Sequence, residues 1–258
     1  MPSEFMPIIL AVTAFVLLFF LQRWVHTHLH GLSLLLMGNA ERATILYALV
    51  LLPGVFLHES SHWLTAKLLG VRTAGFSLIP RRQANGSVQL GYVQYYKTAD
   101  LGPIRESLIG GAPLIVGTAV ILLIGFQLFN LPELLTAMQA GDVDLLSAAL
   151  RQLFEANDLF LWLYLIFAIA NAMMPSASDR RAWPAFFAMT GAAIVILFIL
   201  DLQGVLWQGI GEPTAVIFGY LGLAFGMGVA VDFVAIVVII TLEALVSKIR
   251  GVNVVYGG

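Results

Sequence analysis

Two histidines and a glutamate stand close together in an apolar stretch of this 258-residue chain, in the order His58-Glu59-Ser60-Ser61-His62. Residues four apart lie one above the other on a helix face, so the two imidazoles can reach one metal ion. Glu59 lies about 100° around the helix from His58, where it can act on a water at the ion without being a ligand. This H-E-x-x-H pattern is typical of zinc metalloproteases, in which the glutamate is the general base.

A catalytic zinc site normally has three protein ligands, so a third must come from elsewhere in the chain. The chain has no cysteine, and Asp179 is the leading candidate because it follows an apolar segment that stops at Pro175. We expect that segment to run in the same direction as the one with the histidines, which brings its end to a similar depth. From spacing alone, a surface ion pair of Asp179 with Arg180 or Arg181 is an equal alternative.

Several other polar residues stand in or beside apolar segments. Asn171, near the end of the segment before Asp179, could hold a substrate backbone, stabilise an oxyanion or bond a neighbouring helix. Asp232 lies in the middle of the last apolar segment, where a carboxylate is costly; an alternative ligand, a proton relay and a gate contact are all open for it. The first apolar segment is followed by alternating histidines, which are either metal ligands or interfacial residues at a helix end: His26, His28 and His30.

The composition indicates a membrane protein. Hydrophobic residues make up 60% of the chain, charged residues 11%, and the mean hydropathy is +0.92. Soluble domains have about 45–50% apolar and about 25% charged residues. The net charge of −2 argues against a nucleic-acid partner, and the absence of cysteine excludes a disulfide scaffold.

We therefore expect an all-α membrane protein in which residues 1–258 form a single polytopic domain. About 20 apolar residues are needed for one span. Six apolar segments of 16 to 32 residues are the candidate spans, with the site in a core over residues 43–182: residues 7–22, 43–69, 104–129, 159–174, 183–200 and 214–245. Between the second and third, β-forming residues on both sides of Asn85-Gly86 predict a short β-hairpin over residues 76–96.

Basic residues predict the orientation of these segments. Six spans with both termini on one side place only Arg23, Arg42 and Arg151 on the other side. The remaining basic residues share the side of the hairpin: Lys67, Arg72, Arg81, Arg82, Lys97, Arg105, Arg180, Arg181, Lys248 and Arg250. The positive-inside rule assigns that side to the cytoplasm, so we expect a multi-pass protein of a prokaryotic cell membrane with both termini cytoplasmic.

Together these elements resemble the site-2 protease family of intramembrane zinc metalloproteases, over about half of the chain. The matching features are the histidine motif, the hairpin segment, the start of the third span and the stretch that ends at Asp179: residues 58–62, 76–96, 110–113 and 171–179. The family usually has glycine after the aspartate, where this chain has Arg180.

The resemblance implies a ligand set of His58, His62 and Asp179 for one Zn²⁺ per chain, with Glu59 as general base and Asn171 positioning the substrate. It also implies that the substrate is a transmembrane protein, cleaved in or near the bilayer. Two other functions are compatible with the same residues: a metal transporter, and a zinc hydrolase that modifies lipids.

Overall fold

The computed structural model describes residues 5–82, 88–96, 101–140, 143–201 and 203–256. Its helices are α1 Met6–Met37, α2 Ala40–Leu68, α3 Gly102–Leu128, α4 Leu131–Ala140, α5 Val143–Glu155, α6 Leu159–Ala172, α7 Trp183–Ile199 and α8 Gln203–Arg250. Its strands are β1 Thr73–Ser77, β2 Arg81–Arg82, β3 Val88–Gln89 and β4 Tyr92–Tyr95. The predicted all-α architecture with a small sheet is confirmed.

The expected number of six spans is not confirmed. Four described helices are long and apolar enough to cross a bilayer: α1, α2, α3 and residues Glu212–Arg250 of α8. α5 and α6 meet at 91° and count as a fifth only if the bent pair is one span. Helix α6 alone has 14 residues, or about 21 Å at 1.5 Å per residue, which is shorter than the roughly 30 Å hydrocarbon core.

Helix α7 ends one residue before the predicted segment does, but its 17 residues give only about 26 Å, which is also shorter than the hydrocarbon core, and none of its side chains is buried. Pro184 occupies its first turn, where a missing backbone N–H costs nothing. Its apolar side chains, such as Phe187 and Val195, point away from the rest of the protein.

Helix α1 continues well beyond the predicted end at residue 22. His26, His28 and His30 therefore lie within the helix, and the prediction that they follow it is wrong. Gly38, with a φ of 65°, ends α1, and the Asn39 side chain caps the start of α2 by accepting from the backbone N–H groups of its first turn. This short connection folds α1 and α2 into an antiparallel pair.

Helices α1 and α8 run in the same direction along most of their length. Gly222 packs against Ala11 at one end of the pair, and Arg250 donates a hydrogen bond to the Leu35 carbonyl at the other. Between them, His28 and Glu243 lie 3.0 Å apart. The start of α1 and the end of α8 therefore lie at opposite ends of the pair, which differs from the arrangement that six spans with both termini on one side require.

The main core lies where α1, α3, α6 and α8 meet. It is built from large aliphatic and aromatic side chains that are almost entirely buried, including Leu18, Ile121, Ile166 and Phe225. A second cluster joins α1 and α2 to α6 and α8 around Val25, Leu51, Phe167 and Ile239. α6 contributes to both clusters, so its inner end is held from several sides.

The small sheet follows α2, as the hairpin prediction requires. Strand β1 pairs antiparallel with β4, Phe76 opposite Val93, and β2 pairs with β3. The predicted turn at Asn85-Gly86 lies outside the described residues. β4 contacts α2 and lines the cavity that is described next.

Candidate metal centre

Helix α2 brings His58 and His62 together on one face, one turn apart. Their Nε2 atoms lie 3.1 Å from each other and their ring centroids 4.7 Å apart. Both side chains are largely buried, so the ring nitrogens face the protein interior and not the surroundings. The helix thus places the two imidazoles side by side, as their spacing in the sequence predicts.

The other ring nitrogen of each histidine is bound to a backbone carbonyl. Nδ1 of His58 lies 2.6 Å from the Ala172 oxygen, and Nδ1 of His62 lies 2.7 Å from the Ile109 oxygen. Because a carbonyl oxygen can only accept, each Nδ1 carries a hydrogen and donates it. In the neutral imidazoles both Nε2 atoms then present lone pairs to the same point, an arrangement that favours a cation between them.

Asp179 completes this group from the loop between α6 and α7. Its carboxylate oxygens lie 3.3 Å from Nε2 of His62 and 3.7 Å from Nε2 of His58. The loop turns the carboxylate inward, and the Ser176 backbone N–H donates to it at 2.7 Å. Arg180 does not take the carboxylate in an ion pair; its Nε donates to the Ser176 carbonyl instead.

The separations suit a tetrahedral ion. Zinc bonds of about 2.0–2.1 Å hold two ligand atoms roughly 3.3–3.4 Å apart. The observed closest separations between the three side chains are 3.1, 3.3 and 3.7 Å. One ligand atom from each residue lies within 4.8 Å of the others, so the side chains can bind one ion with small rotations.

The charge on Asp179 favours the same role. Burial raises the pKa of its carboxyl, but with the two imidazoles protonated the hydrogen bond and charge of His62, the hydrogen bond of Ser176 and the charge of His58 together lower that pKa to about 2. The side chain is therefore an ionised carboxylate at neutral pH, the form that binds a metal.

Close packing at Gly110 holds the Asp179 loop against α3. A β-carbon at Gly110 would overlap the backbone carbonyl oxygen of Asp179, whereas a β-carbon at Gly111 would meet nothing within 4 Å. Only a residue without a side chain lets α3 approach the loop this closely. The Ile109 carbonyl that binds His62 precedes this contact, so the same turn of α3 serves both ligands.

Glu59 lies beside the two histidines and is 7% exposed. The end of the sheet covers it: a β-carbon at Gly91 would lie 2.9 Å from its Cγ and 3.1 Å from its Oε1. Glu59 lines the same cavity as the three candidate ligands. The structure thus places the predicted general base next to the three candidate metal ligands.

The cavity around these residues has a volume of about 490 Å³. Strand β4 with Gly91 and the end of α6 both contribute to its lining. Its other polar lining residues include three from α1 and α2 and one from α6: Gln22, His26, Tyr47 and Asn171.

Asn171 lines the cavity, but its side chain does not reach the three candidate metal ligands. Its Nδ2 donates to the Phe167 carbonyl at 3.0 Å and to Oδ1 of Asp232 at 2.6 Å. Neither Oδ1 of Asn171 nor Oδ2 of Asp232 has a partner within the described residues. Asp232 is therefore a partner of Asn171 and not a fourth member of the ligand group.

Gln22 is a site residue that the sequence analysis missed, and His26 is one that it left open between a metal ligand and an interfacial residue. Both bind the backbone oxygen of Asn171, with their Nε2 atoms at 2.5 and 3.0 Å. A polar pair at positions i and i+4 of an apolar helix was the available signal, because such a pair presents two polar groups on one face.

No family model, curated protein or solved structure matches this chain.

Proposed function

We propose that this protein is an intramembrane zinc metalloprotease that hydrolyses peptide bonds in or near transmembrane segments of other proteins. One observation carries the proposal: His58, His62 and Asp179 stand at the spacing of a tetrahedral metal site, beside Glu59, in a protein built of membrane-length helices. Two histidines and a carboxylate form a donor set that suits Zn²⁺ and leaves a position for water.

His58, His62 and Asp179 would hold the zinc, which would supply a bound water with a pKa lowered towards 7 and a positive charge to polarise the attacked carbonyl. Glu59 accepts a proton from the attacking water and delivers it to the amine of the leaving peptide. The Ala172 and Ile109 carbonyls keep His58 and His62 in the tautomer that binds metal through Nε2.

A substrate helix must unwind before cleavage, because its peptide bonds are hidden inside the helix. Strand β4 lines one side of the cavity, and we propose that it holds the unwound segment in an extended conformation. The side of the membrane that carries the sheet is the proposed cytoplasmic side, from which water reaches the site.

The first test is metal analysis of the purified protein, combined with a cleavage assay on a panel of transmembrane segments in liposomes. We expect one zinc per chain and cleavage within or beside a membrane segment. Glu59→Gln should keep the zinc, since the ligands remain, and should cleave about 10²–10⁴-fold more slowly, because the proton acceptor is lost.

Glu41→Gln is the matched control, because Glu41 lies exposed in the first turn of the same helix. Normal cleavage by Glu59→Gln would refute the mechanism. Zinc uptake into vesicles by both native protein and Glu59→Gln would indicate the transporter instead, and release of acyl chains or headgroups without peptide cleavage would indicate the lipid hydrolase.

A further inference from the structure

The last turn of α6 is bound by side chains from two other helices. The final carbonyls of a helix have no partner within it. Here the Asn171 oxygen accepts hydrogen bonds from Gln22 and His26 of α1, and the Ala172 oxygen accepts one from His58 of α2. The neighbouring carbonyls of Asn171 and Ala172 thus connect α1 to His58, a candidate metal ligand.

The partners of His26 fix its tautomer. Its Nε2 binds the Asn171 carbonyl and therefore donates. Its Nδ1 is then an acceptor, and it receives the hydroxyl hydrogen of Tyr47. Both ring nitrogens are used, so His26 serves to hold α6.

Asp232 holds the same turn from α8. The Asn171 Nδ2 faces two groups, the Phe167 carbonyl and the Asp232 carboxylate, and the carbonyl can only accept. The opposite orientation of the amide would bring its oxygen against that carbonyl, so the observed orientation is the favourable one. Asp232 is 0% exposed and accepts this hydrogen bond at 2.6 Å.

We infer that Gln22, His26 and Asp232 are positioning residues for the metal centre. They fix the last turn of α6, and the Ala172 carbonyl in that turn fixes the ring of His58. The inference rests on the proposed function in requiring a metal at this site. It assigns a role to Asp232, a buried carboxylate that the proposed reaction does not use.

The physical basis is the hydrogen bond on the far side of a metal-binding histidine. Such a bond sets the ring orientation and makes the metal-binding nitrogen more basic, and its loss typically lowers metal affinity by 10–100-fold. The Ala172 carbonyl lies at the negative end of the α6 dipole, which strengthens its attraction for the Nδ1–H of His58.

The test compares Asp232→Leu with Asp232→Asn. Leucine has a similar size but no acceptor, whereas the asparagine oxygen can still accept from the Asn171 amide. With excess EDTA, zinc should leave Asp232→Leu about 10–100-fold faster than the native protein, and Asp232→Asn should stay within about 3-fold of the native rate. The ligand-field spectrum of the cobalt-loaded protein should shift in Asp232→Leu alone.

Gln22→Leu tests the same turn from the other helix and should also release zinc faster. Ser33→Ala is the control on α1, since the Ser33 hydroxyl is buried and, among the described residues, binds only the Leu29 carbonyl of its own helix. Native release rates in both Asp232→Leu and Gln22→Leu would overturn the inference. So would equally fast release from Asp232→Asn, because the charge and not the hydrogen bond would then matter.

The spectrum and the release rate do not depend on cleavage. A native protein that binds cobalt and responds to these variants, yet cleaves no peptide, would refute the proposed function and support the positioning role. A native protein that binds neither metal would overturn both.

Discussion

Two pairs of histidines at the same spacing differ in what their nitrogens meet. His26 and His30 in α1, like His58 and His62 in α2, are four residues apart in a membrane-length helix. Both ring nitrogens of His26 are bound, Nδ1 to the Tyr47 hydroxyl and Nε2 to the Asn171 carbonyl. The α2 pair gives only Nδ1 to carbonyls, and a carboxylate faces its two Nε2 atoms. The spacing permits a metal site, and the groups from other helices decide whether one forms.

Substitution of one histidine of each pair by alanine should test this comparison most clearly. His62→Ala should lose zinc and all cleavage, because one ligand is removed. His30→Ala should keep one zinc per chain, because the His30 ring packs edge-on to Tyr47 and not against the candidate metal ligands. Metal analysis of the two purified variants provides the measurement, and zinc loss in His30→Ala alone would reverse the assignment.

Removal of the Asp179 carboxylate should also weaken zinc binding by His58 and His62. Asp179→Ala should weaken zinc binding by more than about 100-fold, beyond the range for partners of ligands, and abolish cleavage. Arg180→Gly, which gives the next residue the identity usual in the site-2 protease family, should preserve both. Full zinc retention by Asp179→Ala under EDTA challenge would exclude Asp179 as the third ligand.

Adjacent glycines allow a smaller and more specific change. Gly110→Ala should displace the Asp179 loop, since a β-carbon there overlaps its backbone, and zinc release should accelerate by roughly 10-fold, as for the loss of a supporting contact. Gly111→Ala meets open space and should release zinc at the native rate. Equal rates in the two variants would show that the α3 contact does not hold the loop.

The direction of α8 can be tested without affecting activity. The chain has no cysteine, so single cysteines can be introduced at Ile79, beside the sheet, and at Val255, after α8, both highly exposed. Parallel α1 and α8 predict that an impermeant thiol reagent labels these two positions from opposite sides of the membrane. Labelling of both from the same side would instead support the six-span arrangement.

Much of the candidate metal site could be predicted from the sequence, because the face of a helix on which a residue lies depends only on its position within that helix. The spacing of His58 and His62 fixes their shared face, and the apolar segment before Asp179 indicates its depth. That Asp179 meets the histidines rather than Arg180 depends on the approach of α3 at Gly110, a contact between distant segments that spacing does not encode.

The length of α1 and the role of Asp232 could not be predicted for a related reason. Gln22 and His26 interrupt the apolar run and favour a helix end after residue 22. Their polar groups are satisfied by the end of α6, which removes the cost of burying them. Likewise, Asp232 is tolerated in α8 because Asn171 donates to it. The favourable partners lie about 60 to 150 residues away in the chain.

Helices α6 and α7 should respond very differently to substitution, because six consecutive residues of α6, from Ile166 to Asn171, are buried and no side chain of α7 is. In a scan of all single substitutions, α7 should accept almost any apolar residue along its length, apart from proline beyond its first turn. The inner half of α6 should reject even changes of one methylene. Related sequences should accordingly drift in α7 while the end of α6 stays nearly constant, so α7 is the poorest segment by which to recognise distant relatives of this chain.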